Sequence, residues 1–164
     1  MAVIGGRNVG TNDLAVMGAG ALMFIDSFLP WYGVSFKGIK GVVGAGGGSA
    51  TVSGWHFAGA WIPMLLVLAV AGVTAARVFG GQTMPTVANG AVSWTFITAA
   101  VSVLAAIIIL LRWVTYPSAS GIGFSAGAQF GTYLGLILAI VQAVFGYLSV
   151  VAAGEKLPWQ KRTA

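Results

Sequence analysis

Hydrophobic positions in this chain do not alternate with polar ones. They gather into four long blocks, residues 14–29, 57–76, 88–111 and 128–153, and within these blocks the one charged residue is Asp26. A block that is apolar on every side reads as a helix surrounded by apolar material. The second block has 20 residues, which at about 1.5 Å per residue spans roughly 30 Å, one hydrocarbon thickness. The pattern predicts helices over about 13–30, 57–77, 87–111 and 128–153. The expected fold is an all-α integral membrane protein, a single four-transmembrane-helix bundle made of two helical hairpins. Asn12 or Asp13 is placed to cap the first helix and Pro30 to stop it. Trp31 and Tyr32 behind the stop suit a headgroup boundary. The first block lacks a small-x-small site before Pro30, so it reads as a retained helix, not a cleaved signal. Pro63 either kinks the second helix or begins it.

The connections differ in character. Residues 77–87 form a short turn with Gly80-Gly81 as a stop and Pro85 as a restart. The 31–54 connection is long and glycine-rich, and 112–127 also contains Ser and Gly. In the first of these, Val42-Val43 and Thr51-Val52-Ser53 are placed to pair as a short β-ribbon. The first helix ends FLPWYG and the third LLRWVTYP, each followed by a Gly/Ser stretch and an aromatic-small entry. This suggests two hairpins related by duplication, as a parallel repeat.

Composition sharpens this picture. Of 164 residues, 58% are hydrophobic and 7% charged, with a mean hydropathy of +0.93. Soluble domains carry about 25% charged residues, so a water-facing surface all round is excluded. With both termini inside, the inner face holds five basic residues (Arg7, Arg77, Lys156, Lys161, Arg162) and the outer face three (Lys37, Lys40, Arg112), which places the chain in a cytoplasmic membrane with both termini cytoplasmic. Trp159 in the basic tail suits an interfacial anchor. The net charge of +5 then reflects topology and contact with anionic lipid, not nucleic acid.

Few residues are available for chemistry. There is no cysteine, one histidine and three acidic residues. Thiolate catalysis, disulfides, Fe–S clusters, two-haem ligation and multi-carboxylate metal sites are therefore excluded. No nucleotide-binding loop, zinc spacing or serine-nucleophile elbow occurs; the GAGGGS run at 44–49 lacks the G-K-[ST] ending of a phosphate loop. Neither enzymatic activity nor a cofactor is expected. Asp26 is a functional candidate by default, as an acid in an apolar block. It is expected at the outer level with His56 and Arg112, where an Asp26–Arg112 or Asp26–His56 pair would tie the hairpins together. On the fourth helix Gly131, Gly135, Gln142, Gly146 and Ser149 form a face on which a neighbouring backbone can approach closely. Ala91, Thr95, Thr98, Ser102 and Ala105 make a comparable stripe on the third helix, and Gly18 and Ala21 are the small positions of the first. Packing is the favoured role of these faces; the alternative is a polar pathway past Thr95, Thr98, Ser102 and Gln142.

The segment DLAVMGAGALMFIDSFLPWYG resembles the opening of small four-helix membrane proteins common in actinobacteria. These carry an FLPWYG-like end to the first helix, a Gly/Ser-rich outer loop and a second hairpin with an aromatic-glycine entry. The resemblance covers most of the chain but carries no functional residues over. Some actinobacterial membrane proteins of this size are accessory subunits of larger assemblies, respiratory supercomplexes among them. The expected function is a non-catalytic accessory or scaffold subunit, its partners being membrane lipid and other membrane subunits or further copies of itself. The alternative is a small homo-oligomeric transporter or channel that uses Asp26.

Overall fold

The computed structural model describes residues 2–4, 6–37, 47–56, 58–81, 92–116, 119–121 and 123–154. Lys40, Val42, Val43, Pro85, Ala91 and the tail residues Glu155, Lys156, Trp159, Lys161 and Arg162 lie outside these residues. A small hairpin opens the chain, β1 (Ala2–Ile4) against β2 (Arg7–Val9), followed by helix α1 (Thr11–Asp26). Strands β3 (Pro30–Phe36) and β4 (Gly48–Ser53), a 3₁₀ turn (Gly54–His56) and α2 (Ala58–Gly80) complete the first half. The second half runs α3 (Trp94–Thr115), β5 (Ala119–Gly121), β6 (Phe124–Ala128) and α4 (Phe130–Ala152). The described chain is mostly helical and adds a small sheet to the expected helices.

Helices α2, α3 and α4 are long and apolar enough to cross a membrane. α1, with 16 residues, reaches only about 24 Å at 1.5 Å per residue. It was expected to continue to residue 30 and does not. A residue before proline is disfavoured in the α region, and the chain leaves the helix through a turn in which Ser27 N–H donates to Met23 O (2.9 Å) and Leu29 N–H to Asp26 O (2.9 Å). Pro30 then opens a strand, where its missing donor is tolerated. At the other end the expected caps Asn12 and Asp13 lie inside the helix, and Gly10 holds the cap position without a side-chain bond. Pro63 lies within α2, which begins five residues before it. α3 begins at Trp94, later than expected, because Ser93 caps it by accepting the Phe96 N–H at 3.1 Å.

The four helices form a ring in chain order, α1 and α3 each packing between α2 and α4. Its core is largely apolar, as in a soluble bundle, but its exterior is apolar too. Leu22, Phe24, Ile25, Leu104, Ile107, Leu111, Ile137, Ile140 and Val144 face outward, whereas Asp26, Thr74, Ser102, Thr132 and Gln142 are buried. Water outside would penalise this arrangement and hydrocarbon would favour it, so the protein is membrane-embedded.

Gln142 of α4 sits at the centre of the ring. Its Nε2 donates to Val67 O of α2 (2.9 Å) and Val16 O of α1 (3.2 Å), and its Oε1 lies 3.2 Å from the Ser102 hydroxyl of α3. One side chain thus reaches all three other helices. The small residues of α1 work differently from expectation. Gly18 has open space where a Cβ would stand and Ala21 is exposed, while Ala19 and Gly20 are buried, Gly20 against Ala71 of α2. Gly146 does pack as expected, with a Cβ position 3.3 Å from Ala99 Cα of α3.

At one end of the ring the two halves share an antiparallel sheet in the order β4-β3-β6-β5. Thr51, Val52 and Ser53 do enter a ribbon, but their partners are Gly33, Tyr32 and Pro30 of β3; the expected partners Val42 and Val43 are not described. β3 also pairs with β6, Tyr32 opposite Ala128 and Phe36 opposite Phe124. Ser49, Ser35, Ser125 and Ser120 stand in register across the four strands. The two halves use their aromatic ends differently: Trp31 is 1% exposed in the core, whereas Trp113, its counterpart in the suggested repeat, is 39% exposed and edge-on to Tyr133 at 5.7 Å.

Replacing Gln142 by Ala removes its bonds to three helices and leaves a void, and we expect a loss of about 2–4 kcal/mol by the measured scale of membrane hydrogen bonds and buried cavities. Reversible unfolding in mixed micelles reads this directly. A loss no larger than that of an outward-facing control, Val144→Ala, would show that the central amide does not hold the ring together.

Candidate functional site: the Trp31 plug over Asp26

Three elements meet beneath the sheet: the end of α1, the start of β3 and the first two turns of α4. The β3 backbone turns Trp31 and Tyr32 into the bundle, and both are 1% exposed. They were expected at the headgroup boundary and are instead core residues. The Trp31 indole lies across the two glycines of α4. A Cβ at Gly131 would stand 2.6 Å from its Cδ1, and one at Gly135 would stand 2.7 Å from its Cζ2 and Cη2. Such distances are not compatible with any side chain. The Gly131-x-x-x-Gly135 pair, expected to admit a neighbouring helix backbone, is a shelf for an aromatic ring.

Trp31 is fixed at both ends. Its Nε1 donates to the backbone carbonyl of Asp26 at 3.0 Å. Its own carbonyl accepts the Gln129 N–H at 2.8 Å and the Thr132 hydroxyl. The Asp26 side chain lies under this plug. It is 0% exposed, and neither carboxyl oxygen has a hydrogen-bond partner. A Cβ at Gly135 would stand 2.9 Å from its Oδ2, so glycine at this position brings carboxyl and indole together.

The expected ion pair of Asp26 with Arg112 or His56 does not form. His56 Nδ1 lies 3.3 Å from the Ser53 hydroxyl in the 3₁₀ turn. Arg112 lies with its guanidinium carbon 5.8 Å from the Tyr32 ring centroid and 5.3 Å from that of Tyr116, and its stem packs on Gly59. The two tyrosine rings are stacked at 3.8 Å. A guanidinium over aromatic faces is stabilised without a carboxylate. Burial pushes the Tyr32 phenol above its ordinary range, and the nearby Arg112 charge opposes that rise. Phe24, Phe28 and Trp55 form an exposed aromatic cluster at the same level, with centroids at 5.3 and 6.3 Å, and Trp55 Nε1 donates to Ser27 Oγ at 3.1 Å.

The stripe on α3 is occupied within the chain. Thr95 accepts from Arg77 Nη1 at 3.0 Å, and the Thr98 hydroxyl is 3.0 Å from two carbonyls of its own helix. Ser102 shares its proton between Thr98 O and Gln142. Arg77 also bonds Asp13 at 2.6 Å, at the mouth of a cavity of about 460 Å³ on the end of the ring away from the sheet. That ion pair links residues 64 positions apart, and the sequence offered no signal for it beyond opposite charge. Among the described residues no cluster of three or more His, Cys, Asp or Glu side chains is placed to hold a metal.

The shelf makes a specific prediction. Gly135→Val should displace the indole and cost about 1–3 kcal/mol, the usual range for overpacking. Gly72→Ala, where a Cβ meets open space, should be neutral or stabilising by up to about 1 kcal/mol, as expected for Gly to Ala within a helix. Micelle unfolding and tryptophan emission distinguish the two; equal effects would remove the special role of the shelf. No family model, curated protein or solved structure matches this chain.

Proposed function

We propose that this chain is a non-catalytic accessory or scaffold subunit of a larger membrane assembly. In this reading it is a four-span bundle in the cytoplasmic membrane, with both termini inside and the four-stranded sheet outside. The observation that carries the reading is the internal closure of its polar side chains. Thr95, Thr98, Ser102 and Gln142, the residues that would line a pathway, are bonded to one another, to Arg77 or to helix carbonyls. What the bundle offers outward is apolar helix surface and aromatic edges such as Phe24, Phe28, Trp113 and Tyr133, suited to lipid and to other transmembrane helices. A respiratory supercomplex is one class of host, by analogy of size and lineage with small actinobacterial accessory subunits and not by matching residues. A second reading, a small homo-oligomeric transporter or channel, rests on the buried unpartnered carboxyl of Asp26.

Purification of the full chain in a mild detergent, followed by mass spectrometry, separates the two. Larger membrane subunits at fixed stoichiometry are expected; a homo-oligomer that conducts ions in planar bilayers would overturn the scaffold reading. The absence of cysteine also makes orientation directly measurable. Ser49→Cys should react with a membrane-impermeant maleimide on intact cells, and Ala153→Cys only after permeabilisation. The opposite pattern would invert the topology, and outside labelling of both would exclude the three spans, α2, α3 and α4, that the reading places between them.

A further inference from the structure

The described residues contain one fully buried acidic side chain, Asp26, and nothing in the scaffold reading uses it. A carboxylate taken from water into an apolar site without hydrogen bonds is strongly disfavoured, and such a group is held as the neutral acid instead. The surroundings of Asp26 supply no compensation. Trp31 Nε1 bonds the Asp26 backbone carbonyl and not its carboxyl. The titratable groups on neighbouring elements are engaged elsewhere. Tyr32 of β3 is stacked on Tyr116, Arg112 of α3 lies over both rings, and His56 of the 3₁₀ turn faces Ser53. On α4, Gly131 and Gly135 face the site, and Tyr133 points outward against Trp113.

We propose that Asp26 is a single-proton site and that the Trp31 indole is its shutter. The carboxyl keeps its proton while the indole lies on the Gly131–Gly135 shelf. When the indole leaves the shelf, water reaches the carboxyl from the sheet side. The O–H bond then breaks, the proton passes to water, and the reverse transfer restores the acid. Two features argue for this role over simple packing. An acid without partners stabilises nothing where it stands, and two glycines on one helix face make room for a ring laid against it. The ring is attached to β3, at whose start the pairing with β4 shifts register between Pro30 and Tyr32. The inference stands on this geometry and holds for a scaffold or a transporter alike.

Infrared spectroscopy of the full chain in lipid vesicles tests it. At neutral pH the wild type should show the carbonyl stretch of a protonated carboxylic acid, absent in Asp26→Asn. Transfer to D₂O should shift that band slowly, and Trp31→Ala should accelerate the shift at least tenfold. Gly135→Ala, which lifts the ring without deleting it, should act in the same direction and serves where Trp31→Ala does not fold. An Asp26 carboxylate in place of the acid band would overturn the proton site. Exchange complete within mixing in the wild type, or equal rates in the wild type and the folded variants, would overturn the shutter.

Discussion

The arrangement of the whole bundle depends on the amide of Gln142. Within hydrocarbon the helices gain nothing from hiding apolar surface from one another, because lipid tails are equally apolar. Packing and hydrogen bonds must therefore choose each helix's rotation. Gln142 makes that choice for all four, since it donates to carbonyls of α1 and α2 and accepts from Ser102 of α3. Turning any helix by one residue breaks its bond and leaves a polar group in an apolar core. With α4 fixed in this way, the positions at helical spacing from Gln142 also face inward: Gly146 below it, Gly135 and Gly131 above. The lower glycine admits the backbone of α3 at Ala99, and the upper pair admits an indole. One helix face thus serves two kinds of neighbour, and the amide marks the boundary between them.

The sheet completes the upper half of that face. Without β3 the two glycines would open a groove at the end of the bundle. β3 fills it because Trp31 is held through its carbonyl by Gln129 and Thr132 at the start of α4, and because the strand pairs with β6 immediately before that helix. The same pairing joins the two halves of the chain, so the sheet acts as a lid that fixes the end of α1 relative to α4. Polar atoms on the β3 backbone are satisfied by strand partners on both sides, which allows a non-helical segment to sit against a membrane bundle.

Much of this was legible in the sequence, and the failures share a cause. Four helices, and the inward face of α4, follow from apolar block length and from the 3.6-residue spacing of Gly131, Gly135, Gln142 and Gly146. The rotational phase of α1 did not follow. It is apolar on nearly every side, so no polar face distinguishes Ala19 and Gly20 from Gly18 and Ala21. The role of the glycine pair was equally hidden, because room for a backbone and room for an indole leave the same small-residue signature. An aromatic after a proline at a helix end fits the boundary as well as the core, so the sequence does not separate the two for Trp31. The choice is made by Gln129 and Thr132, about a hundred positions later in the chain. The absence of an Asp26–Arg112 pair is hidden for a similar reason: opposite charge in the sequence says nothing about whether Arg112 finds aromatic faces first.

The two ends of the bundle treat charge differently, and that contrast bears on function. Away from the sheet, Arg77 is answered by Asp13 and Thr95, an arrangement that structure alone explains. Beneath the sheet, the cation and the acid are kept apart: Arg112 rests on two tyrosines, and Asp26 is enclosed with neither oxygen bonded. If Asp26 served only to fasten α1, a pairing with Arg112 or a plain apolar side chain would do so at lower energetic cost. A chain so sparing of charge has placed the one enclosed acid among its described residues beneath a ring that lies on two glycines, with neither oxygen bonded. The sheet end of the bundle is therefore the place where this molecule departs from what packing requires.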